Sequence, residues 1–290
     1  MRCLLREVDM RIVMDDAGDL PGNLISKYNI KVVPINVTFG TDEYLTGITI
    51  DHDEFYAKVK DVGEYNFPKS SQPTPYQFKE IYKDILAEGE EEILTITVGE
   101  KLSGTFASAE AASKELEKEG SFYLFDSAGG SASQGYMVIE AARMAENGAG
   151  IEDILAKLRE MSQKQIVVFL VDSLEYAVKG GRVGSLQSTM ASLLRIKPIM
   201  QLKDGLIVEA GRVRTYSKAL DYIVDYVFEK VSDRPIKMAV IHAGSPDGAD
   251  KLQEKARNWL NYSEEFVTDM GISVAINLGP GALGIVAIPE

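Results

Sequence analysis

Cysteine is all but missing from this chain. Cys3 is the only one in 290 residues, so no internal disulfide can form, which fits a reducing, cytoplasmic compartment. Histidine is nearly as scarce: with one Cys and only His52 and His242, a Cys/His zinc site is excluded, and no metal ligands are expected. No apolar run reaches the length of a membrane span, and no charged n-region followed by an apolar h-region opens the chain. Positive charge is in deficit, 31 Lys and Arg against 44 Asp and Glu, a formal net charge of −13. That argues against binding nucleic acid or an anionic membrane through the general field, and leaves room only for a local basic pocket. There is no Walker A loop, no Rossmann glycine fingerprint and no nucleophile elbow; "GLIVEAG" has glycines but leads into no helix.

What remains is an ordinary globular composition, 45% hydrophobic and 26% charged, long enough for two domains or one large one. Short apolar runs alternate with amphipathic segments. Strands are expected at 11–15, 32–39, 93–98 and 122–126, and helices at about 19–28, 53–61, 75–88, 104–119 and 133–147. Such alternation over short connections indicates α/β architecture with a mainly parallel sheet. A helical stripe at 151, 154, 155, 158 and 161 ends in a polar linker, which places a domain boundary near 160–165. The second half opens on the buried run "IVVFLV" (166–171), carries a helix over 220–231, and offers strands at 237–242, 273–276 and 284–288. Residues 1–9 precede the first strand and are expected to play no part in the fold.

In open α/β sheets ligands bind beyond the carboxyl ends of the strands. There the chain repeatedly places small hydroxyl residues and glycines: Asp15-Asp16-Ala17-Gly18-Asp19, "SSQPTP" from Ser70, Leu102-Ser103-Gly104-Thr105, and "DSAGGSASQG" with Ser127, Ser131 and Ser133. Each alone is explained as helix capping. Several at one sheet edge suggest a pocket for a carboxylate or phosphate head, because free N–H groups and the helix dipole favour an anion. A Ser103–His242–Asp triad can also be drawn, and with it a lipid-ester hydrolase or acyl-transferase acting through Ser103. Cations lie in the second half. Arg182 follows the Gly180-Gly181 pair, and Arg195, Lys197, Arg212 and Arg214 follow on, the last two on one face of a strand. A guanidinium across a cleft from the hydroxyls would suit a carboxylate.

These stretches, taken in order, resemble the DegV family of bacterial fatty-acid-binding proteins. The resemblance runs from Met10 almost to the C-terminus through "RIVMDDAGDLP", "SSQPTPYQF", "LSGTFASA", "DSAGGSASQG", "GGRVG", "IKPIM", "DGLI", "RVRT", "VIHAG" and "GPGALGI". It implies a two-domain α/β fold, 10–163 and 164–290, each a sheet flanked by helices with the ligand between them. It further implies a non-enzymatic carrier that needs no cofactor, buries a long-chain fatty acid in a tunnel and presents its carboxylate to a fatty-acid kinase, with an acyltransferase as a further partner. The contacts so implied are Ser70, Ser71, Ser103, Gly104, Thr105, Asn277 and Gly279, with Arg182 facing the partner and no catalytic residue. The chain departs from the family pattern at four places: Asp16 stands for the usual Ser, Ser70 for Thr, Ser133 for Gly, and Asn277 for the histidine of "HxGPG". An amide at 277 cannot carry an imidazolium charge, and Asp16 beside a carboxylate would repel it, so a paralogue with a different ligand is the third reading.

Overall fold

The structure is a computed structural model and describes residues 10–183 and 196–290. Arg195 and the end of "GGRVG" lie outside the described residues. Three sheets organise it. The first is four-stranded and parallel in the order β2-β1-β6-β7: β1 (Met10–Asp15), β2 (Lys31–Val33), β6 (Glu92–Thr97) and β7 (Ser121–Asp126). The second is a small antiparallel sheet of β3 (Asn36–Phe39), β4 (Asp42–Leu45) and β5 (Pro68–Ser71), in the order β4-β3-β5. The third has six strands, β10-β9-β8-β13-β11-β12: β8 (Ile166–Leu170), β9 (Lys197–Lys203), β10 (Leu206–Val213), β11 (Ile236–His242), β12 (Tyr262–Asp269) and β13 (Leu283–Pro289). Only its β11–β12 pairing is parallel.

Two expectations fail for identifiable reasons. The run 32–39 is not one strand: Pro34, with no N–H to give a ladder, divides it into β2 and β3, which serve different sheets. The run 273–276 is not a strand but the middle of α10 (Ile272–Leu278), which starts after Gly271 and ends at Gly279, φ 87°. A short run such as Val274-Ala275-Ile276 reads the same way on a helix as on a strand.

The helices stack in layers. α3 (Pro75–Ala87) and α4 (Thr105–Glu115) cover one face of the parallel sheet through Phe78, Tyr82, Ile85 and Ala112. α8 (Tyr216–Val231) and α9 (Pro246–Trp259) cover the far face of the six-stranded sheet. Between the two sheets lies α5 (Ala132–Glu146), flanked by α6 (Ile151–Lys164). Residues 132–139 of α5 are all buried, as a helix packed on both sides must be. It meets β1 and β6 on one side and β11 and β13 on the other. Tyr136 donates to the Met238 carbonyl at 2.5 Å and packs its ring on Phe266. Arg143 binds both oxygens of Glu264 at 2.7 Å.

One buried carboxylate ties the upper edge of the parallel sheet together. Asp15, at the end of β1, is fully buried and accepts from the N–H groups of Ala17 (3.1 Å) and Val98 (2.8 Å) and from Gln134 Nε2 (3.2 Å). Burial outweighs these three donors and pushes its pKa up from 3.8 to about 6. Asp15 therefore binds its proton more tightly folded than unfolded. Its stabilising contribution, on the order of 3 kcal/mol at 1.36 kcal/mol per pH unit, is complete below pH 3.8 and lost as pH rises through 6. Urea midpoints measured from pH 4 to pH 7 should fall in the wild type and fall less in Asp15→Asn. Equal slopes in the two proteins would show that Asp15 does not carry the linkage.

Candidate functional site

A narrow cavity, with about 860 Å³ of empty space that is partly open to solvent, lies where the sheets meet. The parallel sheet contributes Ala17, Val98, Ser103 and Ser131 from the loops after its strands. The six-stranded sheet contributes Val167 and Phe169 of β8, Leu202 of β9, Ile207 of β10 and Ile241 of β11. β5 adds Ser70 and Ser71, and α10 adds Ser273, Val274, Asn277 and Leu278.

The polar part of this wall is built from three directions. On α10, Asn277 Nδ2 donates back to the Ser273 carbonyl (2.6 Å) and across to Ser70 Oγ (3.2 Å), joining the two halves of the chain. Ser103 stands just before α4, whose cap residue Gly104 makes no side-chain capping bond; Ser103 Oγ instead shares a 2.9 Å hydrogen bond with Thr105 Oγ1. Arg182 follows α7 (Leu174–Gly180), which ends in Gly181 at φ 74°, a left-handed turn suited to glycine. Exposed at the cavity rim, Arg182 donates from Nη1 to the Gly180 carbonyl (2.7 Å) and from Nε to the Leu102 carbonyl (3.4 Å). Gly180 itself is held against α10, where a Cβ would meet Asn277 Cα at 2.8 Å and Oδ1 at 2.9 Å.

Of the residues expected at the site, Ser70, Ser71, Ser103, Asn277 and Arg182 line this one cavity. Gly104, Thr105 and Gly279 are not on its wall. Thr105 is buried beneath Ser103, and Gly279 turns against Ser173 and Tyr176. Asp16 faces the Thr46 hydroxyl and His52 rather than the cavity. Burial raises its carboxyl above the usual range, and it is not among the residues of the cavity wall. Arg212 is bound by Glu209 at 2.8 and 2.9 Å, Lys197 pairs with Asp172, and Arg214 is exposed beyond the end of β10. His242 closes β11: its Nδ1 accepts from the Ser245 N–H (3.3 Å) and stands 3.4 Å from Asp269 Oδ1. Ser103 and His242 have separate partners, so the drawn triad is not assembled.

Two hydroxyl residues of the cavity were missing from the expected contacts, although Ser131 stood among the hydroxyls that follow the strands. Ser273 was hidden by the strand reading of 273–276; its Oγ is buried and has no hydrogen-bond partner among the described residues. Ser131 read as a helix cap but caps nothing: its Oγ bonds Asp19 Oδ2 at 2.5 Å. Capping does account for "SSQPTP", where Thr74 and Gln77 form a capping box before α3. The clue that Ser131 is different, the glycines at 129 and 130 just before it, was in the sequence.

The model of the DegV family, described as "Uncharacterised protein, DegV family", matches residues 9–290. The chain belongs to the DegV family. It is 32% identical over 280 residues to Protein DegV of Bacillus subtilis, a match covering 96% of this chain and 98% of that one. Among solved structures it is similar to a fatty-acid-binding DegV-family protein from Thermus thermophilus, with a TM-score of 0.90, 32% identity, and 97% and 100% of the two chains covered. It is also similar to a stearic-acid-binding protein from Eubacterium ventriosum, with a TM-score of 0.86, 26% identity, and 97% and 98% covered. Among the described residues of this DegV-family chain no helix is long and apolar enough to cross a membrane, and no group of three or more acidic, His or Cys residues could hold a metal.

The fit of α7 on α10 is testable. Gly180→Ala should force the helices apart, cost about 1–3 kcal/mol of stability through overpacking, and shift Asn277 from Ser70. A melting temperature equal to wild type would show that the contact has slack.

Proposed function

We propose that this protein is a carrier that binds a long-chain fatty acid in the cavity between the sheets and presents its carboxylate at the rim to a fatty-acid kinase. The observation that carries the reading is the division of the wall. Hydroxyls, an amide and a guanidinium cluster around Ser70, Ser103, Asn277 and Arg182, while β8, β9, β10 and β11 supply aliphatic and aromatic side chains. The fatty-acid binding of the solved relatives from Thermus thermophilus and Eubacterium ventriosum supports it. So does the separation of Ser103 from His242, which leaves the hydroxyl without a histidine base for ester chemistry. We further propose residues 10–163 and 164–290 as the two domains between which the ligand lies.

The energetics favour the tail. Burying an acyl chain gains about 0.8 kcal/mol per CH₂, so a chain of about 16 carbons dominates affinity. The head group then needs only orientation, and a neutral Asn277 can serve in place of a charged imidazole. Each hydroxyl that donates to the carboxylate makes a charge-assisted bond worth about 1–2 kcal/mol.

Lipid extracted from the purified protein should contain an unmodified fatty acid at one per chain; covalent acyl mass on the protein would favour the acyl-enzyme reading instead. In a direct binding assay, Ser70→Ala/Ser103→Ala should weaken fatty-acid binding by about 2–4 kcal/mol. Unchanged affinity would remove both serines from the head-group site. Arg182→Ala should keep its lipid and its melting temperature but lose phosphorylation of the bound acid by a cognate kinase. Loss of the lipid itself would make Arg182 a ligand contact.

A further inference from the structure

The polar residue that bridges the cavity to the start of α10 is Asp19, and the functional reading above leaves it without a role. It sits in the loop after β1 at φ 43° and is buried. Its Oδ1 accepts from the Gly271 N–H at 2.7 Å, fixing the residue that starts the helix of Ser273 and Asn277. Its Oδ2 lies 2.5 Å from Ser131 Oγ on the cavity wall. Ser131 is held there by its own N–H on the Ala17 carbonyl (2.6 Å), at φ 54° and ψ −150°, a backbone region that almost only glycine visits. A non-glycine residue kept in that conformation points to a use for its side chain.

We propose that Asp19 sets the direction of the Ser131 hydroxyl by a single proton, so that binding an acid in the cavity draws a proton from solvent onto Asp19. With Asp19 ionised, both of its oxygens accept, Ser131 O–H must donate to it, and Ser131 offers only lone pairs to the cavity. With Asp19 neutral, its O–H donates to Ser131 Oγ, and the Ser131 O–H turns to donate to a bound carboxylate. The net change is one proton taken up with the ligand, and no covalent bond alters. The unpartnered hydroxyl of Ser273 on the same wall is a second donor for the same anion.

The surroundings favour the neutral form. Burial, with Asp16 in the same loop and Asp269 at the end of β12, raises the Asp19 carboxyl well above its usual range, against the opposing bonds from Ser131 and Gly271. The other ionisable groups packed here are already engaged. Tyr56 on α2 (His52–Val59) donates to Asp269 at 2.8 Å, His52 donates to the Met270 carbonyl at 3.0 Å, and His242 Nδ1 accepts from the Ser245 N–H and stands 3.4 Å from Asp269 Oδ1. A carboxylate entering the cavity adds a further negative charge near Asp19 and raises its proton affinity again.

This deepens the carrier reading and rests on it. Palmitate binding by calorimetry in two buffers of different ionisation enthalpy, between pH 6 and 9, reads the proton directly. The wild type should take up as much as one proton, with affinity falling up to about tenfold per pH unit above the Asp19 titration. In Asp19→Asn the amide donates permanently to Ser131 and its oxygen still accepts from Gly271, and Asn tolerates the left-handed backbone. That variant should bind with no uptake and no slope in this range. Ser131→Ala should weaken binding at pH 6, with the difference from wild type vanishing toward pH 9. Uptake that persists in Asp19→Asn assigns the proton to another group, Asp15 and Asp16 among them, and overturns the proposal, as does a constant affinity ratio between wild type and Ser131→Ala. Absence of palmitate binding by wild type and variants alike overturns the carrier reading and this proposal with it.

Discussion

The cavity depends on the Asp15 carboxylate. Three segments that never meet along the chain, the loop after β1, the loop after β6 and the start of α5, present N–H groups to one pair of oxygens. Gln134 completes the knot by donating also to the Ile96 carbonyl (3.0 Å). Three loop residues of the cavity wall, Ala17, Val98 and Ser131, lie on or beside these segments. A fully buried carboxylate holds its donors firmly, because each donor lost leaves a polar group unpaired in a low dielectric. The raised proton affinity of Asp15 is the consequence of burying it for that purpose.

The second constraint is α5. Over 132–139 this helix is buried on every side and has no solvent face, so it lies between two sheets, and the chain supplies one of each kind. The parallel sheet gives its carboxyl edge to loops that carry polar groups, while the largely antiparallel sheet gives an apolar face. The cavity combines the two because α5 brings them together. Tyr136 on Met238 and Arg143 on Glu264 fasten this helix to the C-terminal sheet by one buried neutral bond and one two-pronged ion pair.

The electrostatics of the site are local. A chain of net charge −13 repels anions in its far field, yet the wall around Ser70, Ser103, Asn277 and Arg182 carries donors and a cation. The acids nearest to it are turned aside: Asp15 into its three N–H groups, Asp16 toward Thr46 and His52, Asp19 into Gly271 and Ser131. Each of the three is buried, and burial raises its proton affinity.

Much of this was legible in the residues. Alternating apolar runs and amphipathic segments gave the first half its β/α order, and the hydroxyls after the strands marked the right edge of the right sheet. Ser70, Ser103, Asn277 and Arg182 could each be named from their motifs. What the sequence alone determined is local: which segments are periodic, and where Gly181 permits a left-handed turn. The tertiary structure decided the rest. Whether 273–276 is strand or helix depends on what covers it, since three consecutive apolar residues satisfy either period. Whether a serine caps a helix or faces a cavity depends on a partner elsewhere in the chain, and for Ser131 that partner is Asp19, 112 residues earlier. A hydroxyl has a direction only once its neighbours are in place, and those neighbours are assembled by packing that no local pattern records.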